Sequence, residues 1–254
     1  MGMPAAEHWR NTSDTAPENG VSIDGCRYLR APAGLHFPED AEMPEGKRHL
    51  ELRTLLYQFL QLAFAHEAGV GCDQFVYWDP TDPRACLAPD AFVRFGQPDD
   101  LFGSWKVWER GAPHVAVEVV SDSDEAEPLW QDKLEKYRRL GVRELVRFDA
   151  VSGGQLLRIW DLVAGDLLER QLREPFARSR VLPGFWLSVE KPGLGPSLRL
   201  SHDERGEWLF LTPAEREAEA RRVEAEAHRV EIEARQAAEQ RIRELEAELR
   251  RRQP

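Results

Sequence analysis

Glu118 sits inside an apolar run, HVAVEVV, where Val115, Val117, Val119 and Val120 surround it. A run of that kind reads as a buried strand. A carboxylate inside one is costly unless something compensates it. The helical segment that follows, PLWQDKLEKYRRL, supplies the compensating group. On a wheel of about 100° per residue with Lys133 at zero, Leu129, Leu140, Tyr137, Trp130 and Leu134 fall between about −40° and +100°. Lys133 therefore lies within the apolar arc, and Gln131, Glu135, Arg138 and Arg139 take the other side. An inward lysine needs an anion or must lose its charge, and Glu118 is the natural partner. Asp90 joins them at the start of PDAFVRF, after a proline that fixes the approach of the chain. Two carboxylates from adjacent strands can hold a divalent metal through hard oxygen ligands. A lysine beside them can orient or deprotonate a water and stabilise negative charge on a phosphate. Those three side chains are the minimum kit for hydrolysing a phosphodiester. The same residues also allow a buried Lys–Glu ion pair with no chemistry.

Other residues could assist. His49 begins an amphipathic segment, HLELRTLLYQFLQLAF, and falls within its apolar arc. It is either a supporting group near the metal or an ordinary core or capping histidine. Glu51 at the edge of that arc, and Glu45 just before the helix, are candidate auxiliary ligands. Tyr137 shares the arc of Lys133 and is a further candidate for the surroundings of the site. In FGSWKVWERG, Trp105 and Trp108 interleave with Lys106 and Arg110. Such a pattern can stack on bases, although a packed loop with its charges in water is the commoner outcome. The clusters YRRLG and GVREL read as solvated surface.

The elements that must position these groups are legible. Leu52, Leu55, Leu56, Phe59, Leu60 and Ala63 repeat at helical spacing. Strands are expected at QFVYW, DAFVRF, HVAVEVV, RELVRFD, GFWLSV and WLFL, and LLRIWDLVAGDLLERQL reads as a hairpin turning near Ala164 and Gly165. Gly141 stops the helix that carries Lys133. A helix, strands, a helix crossing to another strand and more strands imply an α/β (α+β) domain with a mixed sheet.

The 254 residues and net charge of −11 allow one domain plus an appendage. The expected organisation is a disordered leader over 1–20, a globular domain over 21–211 and a helical arm over 212–254. No apolar run is long enough to span a bilayer, and the first twenty residues have no secretory apolar core. Cys26, Cys72 and Cys86 are scattered and odd in number, which suits a reducing cytoplasm rather than a zinc site or disulfide framework. The acidic balance argues against a protein that coats DNA broadly, yet leaves room for a local basic groove. In the arm, Thr212, Pro213 and Glu215 form a capping box. Ten Arg and eleven Glu make the arm nearly neutral, so the acidic excess sits on the body. A thin stripe of Val223, Val230, Ala234, Ala238, Ile242, Leu245 and Leu249 predicts either a solvated single helix or a coiled-coil arm that joins copies of the chain.

The runs PDAFV, VAVEVVSDSD, DKLEKYRRLGVRELVRFD and LPGFWLSV, in this order and spacing from about Pro44 to Pro213, resemble the Uma2 family. These are restriction-endonuclease-like proteins of the PD-(D/E)xK nuclease fold. The resemblance implies a Mg²⁺- or Mn²⁺-dependent endonuclease acting on DNA. Asp90 matches the aspartate of the PD motif, and Glu118 the acidic residue of the (D/E)xK half-motif. The usual strand lysine is replaced by Val120, and Lys133 matches the lysine that Uma2-like sequences carry on the following helix. Ser121 matches a serine common in the family that caps or turns the chain. Asp90, Glu118 and Lys133 are thus the implied catalytic residues, with Asp90 and Glu118 as metal ligands and His49, Glu51 and Tyr137 in support. Leu129 stands where many members have an acidic residue, and Val146 stands near the place of a frequent tryptophan. Two other readings compete: a non-catalytic nuclease-fold protein that assembles through its arm, and a metal-dependent hydrolase of another phosphoester.

Overall fold

The computed structural model describes residues 20–23, 26–29, 46–120, 127–151 and 154–252. The expected leader over 1–20, apart from Gly20, lies outside the described residues, as do Glu45 and Ser121. The chain divides into two units, 1–44 and 45–254. In the first, β1 (Gly20–Ile23) pairs antiparallel with β2 (Cys26–Leu29).

The second unit begins with α1 (Lys47–Phe64), followed by β3 (Ala68–Gly71), β4 (Val76–Tyr77), β5 (Cys86–Leu87), β6 (Ala91–Phe95), β7 (Trp105–Lys106) and the single turn α2 (Val107–Arg110). Next come β8 (Val115–Val119), α3 (Glu127–Leu140), β9 (Glu144–Phe148), and the hairpin of β10 (Leu157–Val163) and β11 (Asp166–Glu169). The chain ends with β12 (Phe176–Arg178), β13 (Phe185–Lys191), β14 (Gly195–Ser201) and α4 (Pro213–Arg252). Six strands form the main sheet in the order β11-β10-β9-β8-β6-β3. Among the described strands of this sheet only β8 and β9 pair in parallel, and α3 is the crossover between them. The sheet is therefore mixed, as expected for an α/β (α+β) domain. No described helix is long and apolar enough to cross a membrane.

Side chains alternate across a strand, and β8 shows what this does. Val115, Val117 and Val119 pack on one face with Leu52, Leu56, Phe59 and Leu60 of α1. Ala116 faces the opposite layer, where α3 lays down Trp130, Tyr137 and Leu140. Glu118, two residues on, shares that face. β3 has the sequence AGVG, which carries no strand signature. Its glycines exist for close packing: a Cβ at Gly71 would stand 2.1 Å from the Phe92 ring, and one at Gly69 2.8 Å from Trp105. In the β10–β11 hairpin, Ala164 and Gly165 both take positive φ, 52° and 92°, as a two-residue turn between twisted strands requires.

WLFL does not form the expected strand. Leu209 makes one isolated bridge to Ser201. The Asp203 carboxylate accepts the backbone N–H groups of Arg205, Glu207 and Trp208, curling the chain into a loop, and Trp208 is left exposed.

Two charged anchors tie the outer parts together, one to the main sheet and one to the sheet of β12, β13 and β14. Glu144, fully buried at the start of β9, accepts from Ser179 Oγ (2.6 Å), Trp186 Nε1 (3.0 Å), the Arg180 N–H (2.7 Å) and Arg170 (2.7 Å). It thereby ties the three-stranded sheet β12-β13-β14 to β9. Arg199 of β14 forms a two-pronged pair with Glu215 at 2.8 Å on each arm. Glu215 also accepts the Thr212 N–H while Thr212 Oγ1 accepts the Glu215 N–H, completing the capping box of α4. Beyond that start, α4 is one continuous helix laced by Glu–Arg pairs.

Glu144→Gln leaves Arg170 without its fully buried partner and is expected to lower stability by about 3 kcal/mol. Urea unfolding of the two proteins checks this, and a loss below about 1 kcal/mol, the level of a single neutral hydrogen bond, would contradict it.

Candidate active site

Lys133 and Tyr137 are four residues apart on α3 and so share one helical face. Both reach the Glu118 carboxylate. Lys133 Nζ stands 2.6 Å from Oε2, and the Tyr137 hydroxyl donates to Oε1. The Glu118 side chain is 4% exposed and that of Lys133 is 30% exposed, so the ammonium is the part of the pair that faces solvent.

Asp90 immediately precedes β6. The pairing of Ala91 with Val117 continues one step to set Asp90 opposite Glu118, on the same face of the sheet. Asp90 Oδ2 accepts the Val119 N–H at 2.7 Å. His49, at the start of α1, donates from Nε2 to the Val119 carbonyl at 2.9 Å, and the same nitrogen lies 3.3 Å from the Asp90 carboxylate. Five of the residues marked out by the sequence, His49, Asp90, Glu118, Lys133 and Tyr137, thus come together around the end of β8.

The model of a family described as "Putative restriction endonuclease", Uma2, matches residues 40–190. The chain belongs to the Uma2 family. One solved structure similar to it is the crystal structure of "a putative nuclease belonging to DUF820" from Anabaena variabilis ATCC 29413. The two chains are 13% identical, with 64% of this chain and 81% of that one covered and a TM-score of 0.40. No curated protein matches this chain.

Burial is the main influence on Glu118 in this Uma2 chain and pushes its carboxyl up to about 7. Lys133 pulls it back down, the Asp90 charge pushes it up again, and the hydrogen bonds from Lys133 and Tyr137 favour the ionised form. Loss of water, more than the neighbouring Asp90 charge, keeps this carboxyl raised, and a cation against it would offset that cost. The donors at hand are two carboxylates and a strand-end carbonyl, hard oxygens of the type that Mg²⁺ and Mn²⁺ prefer. No group of three His, Cys, Asp or Glu suited to a metal occurs among the described residues. Mg²⁺ commonly uses only one or two carboxylates beside water and phosphate oxygens, so Asp90 and Glu118 fit that donor set.

Other expected residues are not brought in. Glu51 is exposed on α1, and no described hydrogen bond ties it to Asp90 or Glu118. The arc edge on which it was placed turns to solvent because Leu52 and Leu55 take the buried positions. Trp105 is no stacking platform. It is fully buried between Phe92 and Phe102, and its Nε1 donates to the Gly111 carbonyl at 2.9 Å. Trp108 is the exposed member of that pair.

Arg147 was passed over. It is the β9 residue in register with Glu118, it is buried, and its guanidinium lies 4.7 Å from the centre of the Trp130 ring and 3.7 Å from Asp149. A charge inside RELVRF was the available signal, the same kind that exposed Glu118.

The raised Glu118 carboxyl has a consequence for stability without divalent cations. Between about 4.5 and about 7 the folded state holds a proton on Glu118 that the unfolded state has lost. Stability from this group is therefore present at low pH and falls as pH rises through that window. Glu118→Gln is expected to remove the fall and to be more stable than the parent above pH 7, relative to their difference at pH 4.5. Urea midpoints measured across the window with a chelator present decide it, and parallel profiles for the two proteins would contradict it.

Proposed function

We propose that this chain is a Mg²⁺- or Mn²⁺-dependent endonuclease that hydrolyses phosphodiester bonds of DNA. The observation that carries this reading is the convergence of Lys133, Tyr137 and the Asp90 loop on the buried Glu118. DNA as the polymer comes from the family description. In this reading Asp90 and Glu118 hold the cation, which would polarise a phosphoryl oxygen and offset its charge. Lys133, partly exposed, presents its ammonium to the scissile phosphate and orients the attacking water. Tyr137 fixes the rotamer of Glu118, and His49 braces the end of β8 against Asp90. We place the protein in the cytoplasm, as its scattered cysteines suit a reducing compartment.

Lys133→Met separates chemistry from folding. Methionine suits the apolar arc, and Glu118 takes up a proton in place of the lost ion pair. Metal-dependent cleavage of a DNA duplex should fall by at least about a hundredfold while the variant still unfolds cooperatively. Cleavage at the parental rate would exclude the proposed role of Lys133. An inactive parent across Mg²⁺, Mn²⁺ and DNA substrates, but active on another phosphoester, would favour the wider hydrolase reading.

A second reading rests on α4. Val223, Val230, Ile242 and Leu245 are all exposed along one face of a helix of about 60 Å. We propose that this stripe joins copies of the chain as a coiled coil, weakly, because alanine fills much of the seam. Deleting residues 212–254 should leave a folded domain of lower assembly state. Equal monomer masses for both proteins by light scattering at tens of micromolar, about where weak coiled coils associate, would contradict self-association.

A further inference from the structure

The end of the main sheet away from Glu118 also carries charged side chains. Phe95 closes β6, His114 precedes β8, Arg143 precedes β9, and Asp161 and Leu162 lie near the end of β10. With Arg180 and Val181 these residues line a cleft of about 630 Å³. It lies roughly 13 Å along β8 from Glu118, at the strand rise of about 3.3 Å per residue.

The charges at this end do not balance. Among the described residues, Arg143 and Arg180 line the cleft with Asp161, and Arg94, Arg170 and Glu144 stand behind it, which makes four guanidinium groups against two carboxylates, an excess of two positive charges. Both carboxylates are committed. Asp161 is clasped by Arg170 and lies 3.2 Å from Arg180, and Glu144 is enclosed by its four donors. Arg94 is wedged between His114 and Gly111, and its Nε is buried without a hydrogen-bond partner. Arg143 is exposed at the mouth and disfavours the charge on Arg94. Burial, then Arg94 and Arg143, push the His114 imidazole down to about 4, so it adds no charge at neutral pH. This positive spot occurs in a chain whose net charge is −11. Phe95 and Val181, both packed toward the layer of α1, are apolar parts of the lining, and Leu162 belongs to the opposite layer.

We propose that this cleft binds a phosphate monoester with a flat apolar body, of the nucleoside monophosphate class, independently of the carboxylate pair at the other end of the sheet. A phosphate monoester carries about two negative charges at neutral pH, which matches the excess. Guanidinium forks suit its oxygens. Arg143 and Arg180 hold the phosphate, and Phe95 and Val181 take the body. The volume falls in the range of ordinary small-molecule sites, about 300–1,000 Å³.

Calorimetric titration of the full chain with adenosine 5′-monophosphate, in the presence of a chelator, tests this. The expected result is one site with a dissociation constant below about 1 mM. Arg143→Gln, a change at an exposed residue, should weaken it at least tenfold, and Arg180→Gln should weaken it likewise. Glu118→Gln should bind as the parent does. Adenosine without its phosphate should bind at least tenfold more weakly, and inorganic phosphate should also bind more weakly. No binding at about 1 mM, unchanged affinity in both arginine variants, or loss in Glu118→Gln would overturn the site. Inorganic phosphate binding as tightly as the nucleotide would overturn the assignment of Phe95 and Val181 to the body.

Discussion

Glu118 holds a carboxylate between the main sheet and α3, where water is largely excluded, and the arrangement around it follows from keeping that charge tolerable. A buried ion pair is stable only when its geometry is close and its remaining lone pairs are engaged. Lys133 and Tyr137 meet both conditions, one on each carboxylate oxygen. They can do so because α3 is the crossover between β8 and β9, the two described strands of the main sheet that pair in parallel. Trp130 and Leu140 then press that helix onto the sheet at the correct rotation. Asp90 works in the opposite direction. It secures the end of β8 through the Val119 N–H, yet it adds a second negative charge beside the first. The result is two carboxyl groups side by side, one of them buried and held by a partly exposed lysine.

What could be read from the sequence follows from the same physics. Glu118 and Lys133 stood out because each is a charge in a pattern that should be apolar, and the proline before Asp90 marked the approach of its strand. Tyr137 blended into the apolar arc, since nothing in the spacing distinguishes a tyrosine that packs from one that donates. The sequence leaves His49 two readings, of which an ordinary core or capping histidine is the commoner. Its decisive partner is the Val119 carbonyl, a backbone group that no side-chain pattern reports. Glu51 shows the limit of a helical wheel, because an arc edge is uncertain by about one side chain and here the edge faces water. Arg147 and Glu144 carried the signal that revealed Glu118, a charge within RELVRF, but their compensating groups lie far along the chain or across a strand pair. The β3 strand was hidden for another reason. Its glycines record the size of Phe92 and Trp105, which is information held in other parts of the sequence.

The distribution of charge gives the molecule distinct regions. The arm is nearly neutral, so the acidic surplus belongs to the body, while the arginines gather at the end of the main sheet away from Glu118. An acidic body disfavours indiscriminate attachment to nucleic acid. A cation at the carboxylate pair would reverse the local sign only where chemistry is wanted. The capping box and Arg199 fix where the arm leaves the body, so its apolar stripe starts from a defined position rather than a loose tether.

Cation binding at Asp90 and Glu118 is the claim on which the enzymatic reading stands, and titration of the metal-free chain with Mn²⁺, followed by electron paramagnetic resonance of the free ion, tests it most directly. One Mn²⁺ per chain should be taken up by the parent, and the uptake should be lost in both Asp90→Asn and Glu118→Gln while their folds remain intact. Uptake of Mn²⁺ by both variants as by the parent, or none by the parent at about 1 mM, the range of weak affinity, would contradict it.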